Sequence, residues 1–303
     1  MTGLQRIGIL AHPLRPQTAP VAQHIAATLS ARGVDTWLHT DWDESDVREK
    51  TQHTDMVIAI GGDGAMFRAA RVCAPHDVPV LGVNMGRLGF LTEIENPNTW
   101  ETYMDSLLRG DYWIETRMMI RVQIVRGGVS VTAEDALNDV VISRGVVSRT
   151  IRLETYIDDG WATTYNADAL IIATPTGSTA YALASGGPIL PPELHNILIV
   201  PVAPHLSMDR AIVLSQGATV EVVPAWDAGT EVVLTVDGRL AGDLQEGDYV
   251  RVTSSDHASR FVRMRERNYF YRSLLDKLEP RITRPEEPDG RGRVAQPSRQ
   301  RID

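Results

Sequence analysis

Residues Met56 to Ile60 form an unbroken apolar run that stops at Gly61-Gly62-Asp63-Gly64. Consecutive apolar residues without alternation read as a strand covered on both faces, which implies a parallel sheet packed between helices. The flanking sequence keeps to that plan. Arg6 to Ala11 is strand-like, and a helical pattern from Pro20 to Arg32, apolar at Val21, Ile25 and Leu29, ends at Gly33. A short strand at Val34 to His39 precedes the apolar run; a helix in Met66 to Cys73, a buried strand in Val78 to Val83 and a helix in Trp100 to Leu108, closed by Gly110, follow it. Residues 1–112 are therefore expected to form an N-terminal three-layer α/β domain with a mostly parallel sheet.

From about Arg117 the period changes. Short β-branched runs end at turn signals: Met118 to Val125 before Gly127-Gly128, Ile151 to Ile157 before Asp158-Asp159-Gly160, and Glu231 to Val236 before Asp237-Gly238. Residues 113–265 are expected to form a β-rich, β-sandwich-like domain with one short helix after Gly177. A helix from Tyr269 to Leu278, within 266–279, is expected to complete the first domain. The tail, 280–303, has four prolines and no aromatic residue, too little apolar surface to offset the entropy of ordering it, and is expected to be disordered.

Composition narrows the chemistry. A net charge of −9 without a basic stripe argues against nucleic acid and anionic membranes as partners. The chain lacks an apolar run of membrane-spanning length and a charged leader, so a cytoplasmic location is expected. The single cysteine, Cys73, excludes internal disulfides, and neither it nor the scattered histidines have metal-ligand spacing. Lysine occurs only at Lys50 and Lys277, neither after a glycine loop, leaving 28 arginines and no Walker-type site. There is no GxGxxG after the first strand and no GxSxG.

Three segments carry chemistry. Gly61-Gly62-Asp63-Gly64 joins a strand to a helix, where glycines let the backbone approach an anion and the helix N-terminus favours phosphate. An aspartate repels phosphate there, so Asp63 suits proton abstraction from a hydroxyl or metal holding; a plain capping turn is the other reading. In Ala136 to Ile142, Asn138 and Asp139 suit hydrogen bonding to a sugar diol or a base edge, or an Asx turn opening a strand. The longest segment, Tyr165 to Tyr181 and on to Pro188, runs a buried strand into Thr174-Pro175-Thr176-Gly177-Ser178-Thr179, dense in neutral donors beside an aromatic ring. Arg68, Arg87 and Arg149 are candidate phosphate clamps.

In order and content these segments, with Asn84 to Glu93 (NMGRLGFLTE), Pro201 to Ser207 (PVAPHLS) and Val236 to Gly238 (VDG), resemble the NAD kinase family from Arg6 to about Leu278. The resemblance implies transfer of the γ-phosphate of ATP, or of a phosphoryl group from inorganic polyphosphate, to the 2′-hydroxyl of the adenosine ribose of NAD, giving NADP. It also implies magnesium or another divalent ion, and a homodimer or homotetramer in which residues near Asp168 reach a neighbour's site. By the family pattern Asp63 is the proton acceptor, within Gly61, Gly62 and Gly64, and Arg68 lies near the dinucleotide. Asn138 and Asp139 contact NAD, as do Arg149, Asn166 and Asp168. Thr179, Ala180, Tyr181, Ala182, Leu183 and Ala184 embrace the nucleotide, and Arg239 is a weaker match.

The chain departs from the pattern where Ala65 replaces the usual threonine after GGDG, Asp139 replaces glutamate and Ala169 replaces glycine. Loss of the threonine hydroxyl removes a possible phosphate contact, consistent with slower turnover or another donor. Two other readings follow from the same residues: a non-catalytic NAD(H)-binding regulator, and a lipid kinase sharing GGDG, which would leave Asn138-Asp139 and the Thr174 loop unexplained.

Overall fold

The first strand places Ile7 and Ile9 on one face of a sheet and Leu10 on the other, all fully buried, so helices must cover both faces. A computed structural model describes residues 3–40, 44–86, 89–145, 150–226, 231–267, 269–270 and 274. Strand β1 (Arg6–Leu10) leads through α1 (Thr18–Ser30), β2 (Asp35–His39) and α2 (Glu44–Thr51) to β3 (Met56–Gly61), the apolar run of the sequence. Then come α3 (Asp63–Cys73), β4 (Val80–Asn84) and α4 (Trp100–Arg109). The four strands are parallel, in the order β2-β1-β3-β4. Ile25 and Leu29 of α1 join Trp100, Met104 and Leu107 of α4 on one face; Val47 of α2 and Met66, Ala69 and Val72 of α3 cover the other. The three-layer expectation is met.

The sequence reading passed over α2. Val47 is its one buried apolar residue, too few for a helical period to show. α3 begins at Asp63, three residues before the expected Met66. The helical residues described after Glu266 are Tyr269, Phe270 and Leu274; the rest of the expected helix and the tail 280–303 lie outside the described residues. Residues through Arg265 form one compact unit, and those from Glu266 form another.

Beyond α4 the chain runs through β5 (Trp113–Arg126), β6 (Val129–Ala136), β7 (Asp139–Arg144), β8 (Ile151–Ile157), β9 (Gly160–Ala167) and β10 (Ala169–Ala173). A 3-10 turn at Gly177–Thr179 and the short α5 (Tyr181–Ala184) follow. The remaining strands are β11 (Asn196–Val202), β12 (Ile212–Ser215), β13 (Val220–Pro224), β14 (Val232–Val236), β15 (Arg239–Asp243) and β16 (Tyr249–Arg263). All three turn signals close hairpins. Gly127-Gly128, Asp158-Asp159 and Asp237-Gly238 each hold two successive positive φ angles, the geometry that matches strand twist in a two-residue turn.

Two sheets pack face to face in this half. One, in the order β12-β11-β10-β7-β14-β15, is antiparallel throughout. The other holds β5, β6, β8, β9, β13 and β16 and is continuous with the parallel strands through β16, which pairs with β4 at Phe261 and Val80. Between them lies a core that includes Ile120, Leu153, Tyr165, Ile172, Leu234 and Val252. β5 starts five residues before the expected Met118, because the buried Glu115 and Arg117 give its first part the look of a loop.

Ile172 is fully buried between the sheets and away from the loops. Ile172→Ala is expected to lower unfolding free energy by about 2–5 kcal/mol, read as a lower denaturant midpoint at unchanged slope.

Candidate functional site

The parallel sheet ends its strands at one edge, and there the glycine junction folds as a helix start. Gly61 closes β3, Gly62 caps α3 in extended conformation, and Asp63 is the first helical residue. The Asp63 carboxylate is held by the loop after β4: the Phe90 N–H donates to Oδ2 at 2.9 Å and the Leu91 N–H to Oδ1 at 3.1 Å. Gly89 makes room for it, since a Cβ there would stand 2.0 Å from Asp63 Oδ1. Each carboxylate oxygen accepting one of these amides keeps further acceptor capacity. Gly64 is exposed beside it, whereas Ala65 is buried, and its methyl would lie 2.7 Å from a Cβ at Gly61. Arg68, one turn on, is near His12, whose ring burial holds below the ordinary histidine range with help from the Arg15 and Arg68 charges.

The second wall is built from three distant segments. Asp237, the first residue of the β14–β15 turn, accepts N–H bonds from Leu137 at 2.9 Å, Asn138 at 2.7 Å and Asp139 at 3.2 Å. The carbonyls of Leu137 and Asn138 are in turn held by Thr174, through its hydroxyl at 2.5 Å and its N–H at 2.8 Å. Gly177 packs on the same peptide, where a Cβ would come 2.1 Å from the Asn138 oxygen. The backbone of Asn138 is spent on the fold, as the turn reading expects, and the residue also lines a cavity.

That cavity, about 390 Å³, is lined by Phe67, Asn138, Asp139, Ala180, Tyr181 and Asp237, together with Val141, Ser143, Thr235 and Gly238. Phe67 lies four residues after Asp63, one turn further along α3, and brings that helix to the cavity; Asp63 itself is not among the lining residues. Tyr181 lines the cavity while 45% exposed. Asp139 is buried, and burial first, then the nearby Asp237, pushes its carboxyl up to about 7. Burial likewise raises Asp237, against the pull of its three N–H donors and of Arg71.

Of the expected residues, Asn138, Asp139, Ala180 and Tyr181 share this cavity, with Thr179, Ala182, Leu183 and Ala184 in the turn and helix around it. Asn166 and Asp168 stand at the other end of β10. Asp139 pairs with Ala173, five residues from Asp168, which is roughly 17 Å along a strand. Asp168 accepts from Arg144 Nε at 3.1 Å. Ala169 has the extended backbone its side chain requires. Arg87 and Arg149 lie outside the described residues. Arg239 pairs with Glu134, and Cys73 is buried in the α3 core. The sequence reading missed Phe67, whose signal was its spacing from Asp63, and the Asp237 carboxylate, which it took only for a turn.

Two domain models cover most of the chain: that described as the ATP-NAD kinase N-terminal domain matches residues 7–112, and the ATP-NAD kinase C-terminal domain residues 137–264. The NAD kinase of Chloroflexus aurantiacus is 40% identical over 275 residues, 91% of this chain and 99% of that protein. The NAD kinase of Heliobacterium modesticaldum is 38% identical over 282 residues, 90% of this chain and 98% of that protein. Among solved structures, yeast NADH kinase complexed with NADH has a TM-score of 0.82 at 23% identity, covering 94% of this chain and 91% of that one. An NAD kinase from Archaeoglobus fulgidus in complex with ATP has a TM-score of 0.69 at 22% identity, covering 90% and 98%. At these identities the two structures speak for the fold.

Two tests follow from the geometry. In Gly89→Ala the added methyl meets only the end of a side chain, so the fold is kept while the Asp63 carboxylate is displaced; turnover should fall about a hundredfold or more with little change in melting temperature. For Asp139 the folded carboxyl holds its proton to about pH 7 while the unfolded one releases it near 3.8. The contribution is therefore present below pH 4 and lost as pH rises towards 7. Asp139→Asn should remove that loss, so its melting temperature relative to wild type should rise from pH 5 to pH 8.

Proposed function

This chain belongs to the ATP-NAD kinase family and phosphorylates NAD to NADP at the expense of ATP; from that premise we propose which of its residues perform each task. Asp63 is the catalytic residue, accepting the proton of the ribose 2′-hydroxyl as that oxygen attacks the γ-phosphorus. The observation that supports the assignment is that Asp63 begins the helix α3 whose Phe67, four residues on, lines the same cavity as Asn138 and Asp139.

The N–H groups of Phe90 and Leu91 aim the carboxylate and leave acceptor capacity for a hydroxyl. Asn138 and Asp139 hold the dinucleotide by its diol or base edge, and Tyr181 with the Thr179 to Ala184 turn closes over it. Ionised, Asp139 accepts from ribose hydroxyls; protonated, it also donates, and its raised titration supports either role near neutral pH. Gly61, Gly62 and Gly64, at the positive end of α3, and Arg68 receive the phosphates. The transition state spreads its charge over equatorial oxygens, so fixed amides and arginines that need no reorganisation contribute most.

A divalent ion, magnesium by family expectation, fits this wall. Among the described residues no three His, Cys, Asp or Glu side chains gather into a cage, but magnesium bound with substrate phosphates needs only one or two carboxylates, and Asp63 has acceptor capacity to offer. When bound it would neutralise phosphate charge. ATP is the donor, with inorganic polyphosphate a second donor to test because Ala65 lacks the usual hydroxyl. The reading includes a homodimer or homotetramer, in which Asn166 and Asp168, remote from Asp139 in one copy, serve a neighbour's site. It also includes a cytoplasmic location, which the buried free thiol of Cys73 suits.

The experiment is incubation with NAD, magnesium and either ATP or polyphosphate, coupled to an NADP-specific dehydrogenase. Asp63→Asn is expected to lower NADP formation by about a thousandfold, at the middle of the range for a general base, with NAD binding by calorimetry retained; undiminished turnover removes Asp63 from the mechanism.

A further inference from the structure

The carboxylate proposed as the base is not held by Phe90 and Leu91 alone, because Leu91, whose N–H meets the carboxylate, is itself held through its carbonyl. Arg263, the last residue of β16 and 1% exposed, donates from Nη1 to the Leu91 carbonyl at 2.7 Å. Its Nε donates to Glu115 Oε2 at 2.8 Å, and its Nη2 lies 2.7 Å from the same oxygen. Glu115, 2% exposed on β5, also accepts from Arg117 Nε at 3.0 Å. Arg117, equally buried, reaches Thr176 Oγ1 at 3.4 Å, in the loop whose Thr174 fixes Leu137 and Asn138. Both guanidinium groups also approach the Phe261 ring, that of Arg117 at 5.7 Å and that of Arg263 at 5.5 Å from its centroid. Glu93 completes the clamp: its Oε1 accepts the Met264 and Arg265 N–H groups at 2.9 Å each, and its Oε2 lies 3.4 Å from Arg263 Nη1.

We propose that Glu115 and Arg263 are positioning residues for phosphoryl transfer: through the Leu91 backbone, held at its carbonyl and donating from its N–H, they set the Asp63 carboxylate, and through Arg117 they tie it to the loop that supports Asn138. Neither touches the cavity. The inference rests on the assignment of Asp63 as the base.

Burial of four charges in so small a volume costs stability unless every one is paired, and removing any partner leaves an uncompensated charge. Hydrophobic residues of equal volume would hold β5 against β16 at least as well. What apolar residues cannot supply is a directional donor for the Leu91 carbonyl, a requirement that Arg263 meets with a planar fork shared between that oxygen and Glu115. Burial pushes the Glu115 carboxyl up, but the Arg117 and Arg263 charges outweigh it and hold it below the ordinary glutamate range.

The test is Arg263→Lys, which keeps the charge but not the fork. Expected is a fall in kcat of about tenfold to a hundredfold, with KM for NAD and for ATP within about twofold of wild type. Faster hydrogen exchange at the Leu91 amide should accompany it. Wild-type kcat, or a rise in both KM values at unchanged kcat, overturns the proposal. The unmodified enzyme supplies a second measurement that does not depend on the variant folding. There the Leu91 amide should exchange as slowly as the amides of β16, and exchange as fast as the Gly127-Gly128 turn overturns the proposal. Asp63→Asn assayed alongside separates the two ideas: if it retains turnover, the base assignment fails; if it is inactive while Arg263→Lys is not, the positioning network alone fails.

Discussion

One strand holds the two halves of this protein in register. β16 runs fifteen residues, pairing with β5 along nearly its whole length and with β13 near its start, and it meets the parallel strand β4 through Phe261. A β-ladder allows no continuous sliding, because a slip of one residue turns every side chain to the wrong face. The edge carrying Asp63 and the sandwich carrying Asn138 and Asp139 therefore share one rigid reference. Backbone hydrogen bonds, rather than a linker, set the spacing across the cavity.

That rigidity suits a reaction in which the protein forms no bond to phosphorus. If the chemistry is chiefly alignment and charge, its quality depends on how little the aligned groups move. Three groups at the site are fixed by a second one: the Asp63 carboxylate by the Leu91 amide, the Asn138 carbonyl by Thr174, and the Leu137 to Asp139 turn by Asp237. The cost falls on Asp139 and Asp237, two carboxylates crowded away from water at one end of the cavity, each raised by burial.

Much of this was legible in the sequence because it is local. An apolar run ended by glycines announces a buried parallel strand, and paired turn residues announce hairpins, since the relevant physics spans four or five residues. Asn138, Asp139 and the Thr174 loop stood out for the same reason. What stayed hidden depends on distance along the chain. The Asp237 carboxylate reaches amides about a hundred residues away. Glu115 and Arg117 carried no signal, yet they are the buried half of a network completed by Arg263. The joining of the parallel strands to the sandwich rests on the β4–β16 pairing, for which no local pattern exists. Phe67 lay between: its helix was expected, but only the cavity gives its ring a role.

The turn at Asp237 ties two demands to one codon. Its φ of 47° lies in the left-handed region, where aspartate, asparagine and glycine are the residues commonly tolerated. Capturing three amides calls for a pair of anionic oxygens, and of those residues aspartate alone has them. Drift at this position is therefore penalised twice, once by the hairpin and once by the cavity wall that the three amides build, so a chain relieved of any other demand would still find its choices narrow here.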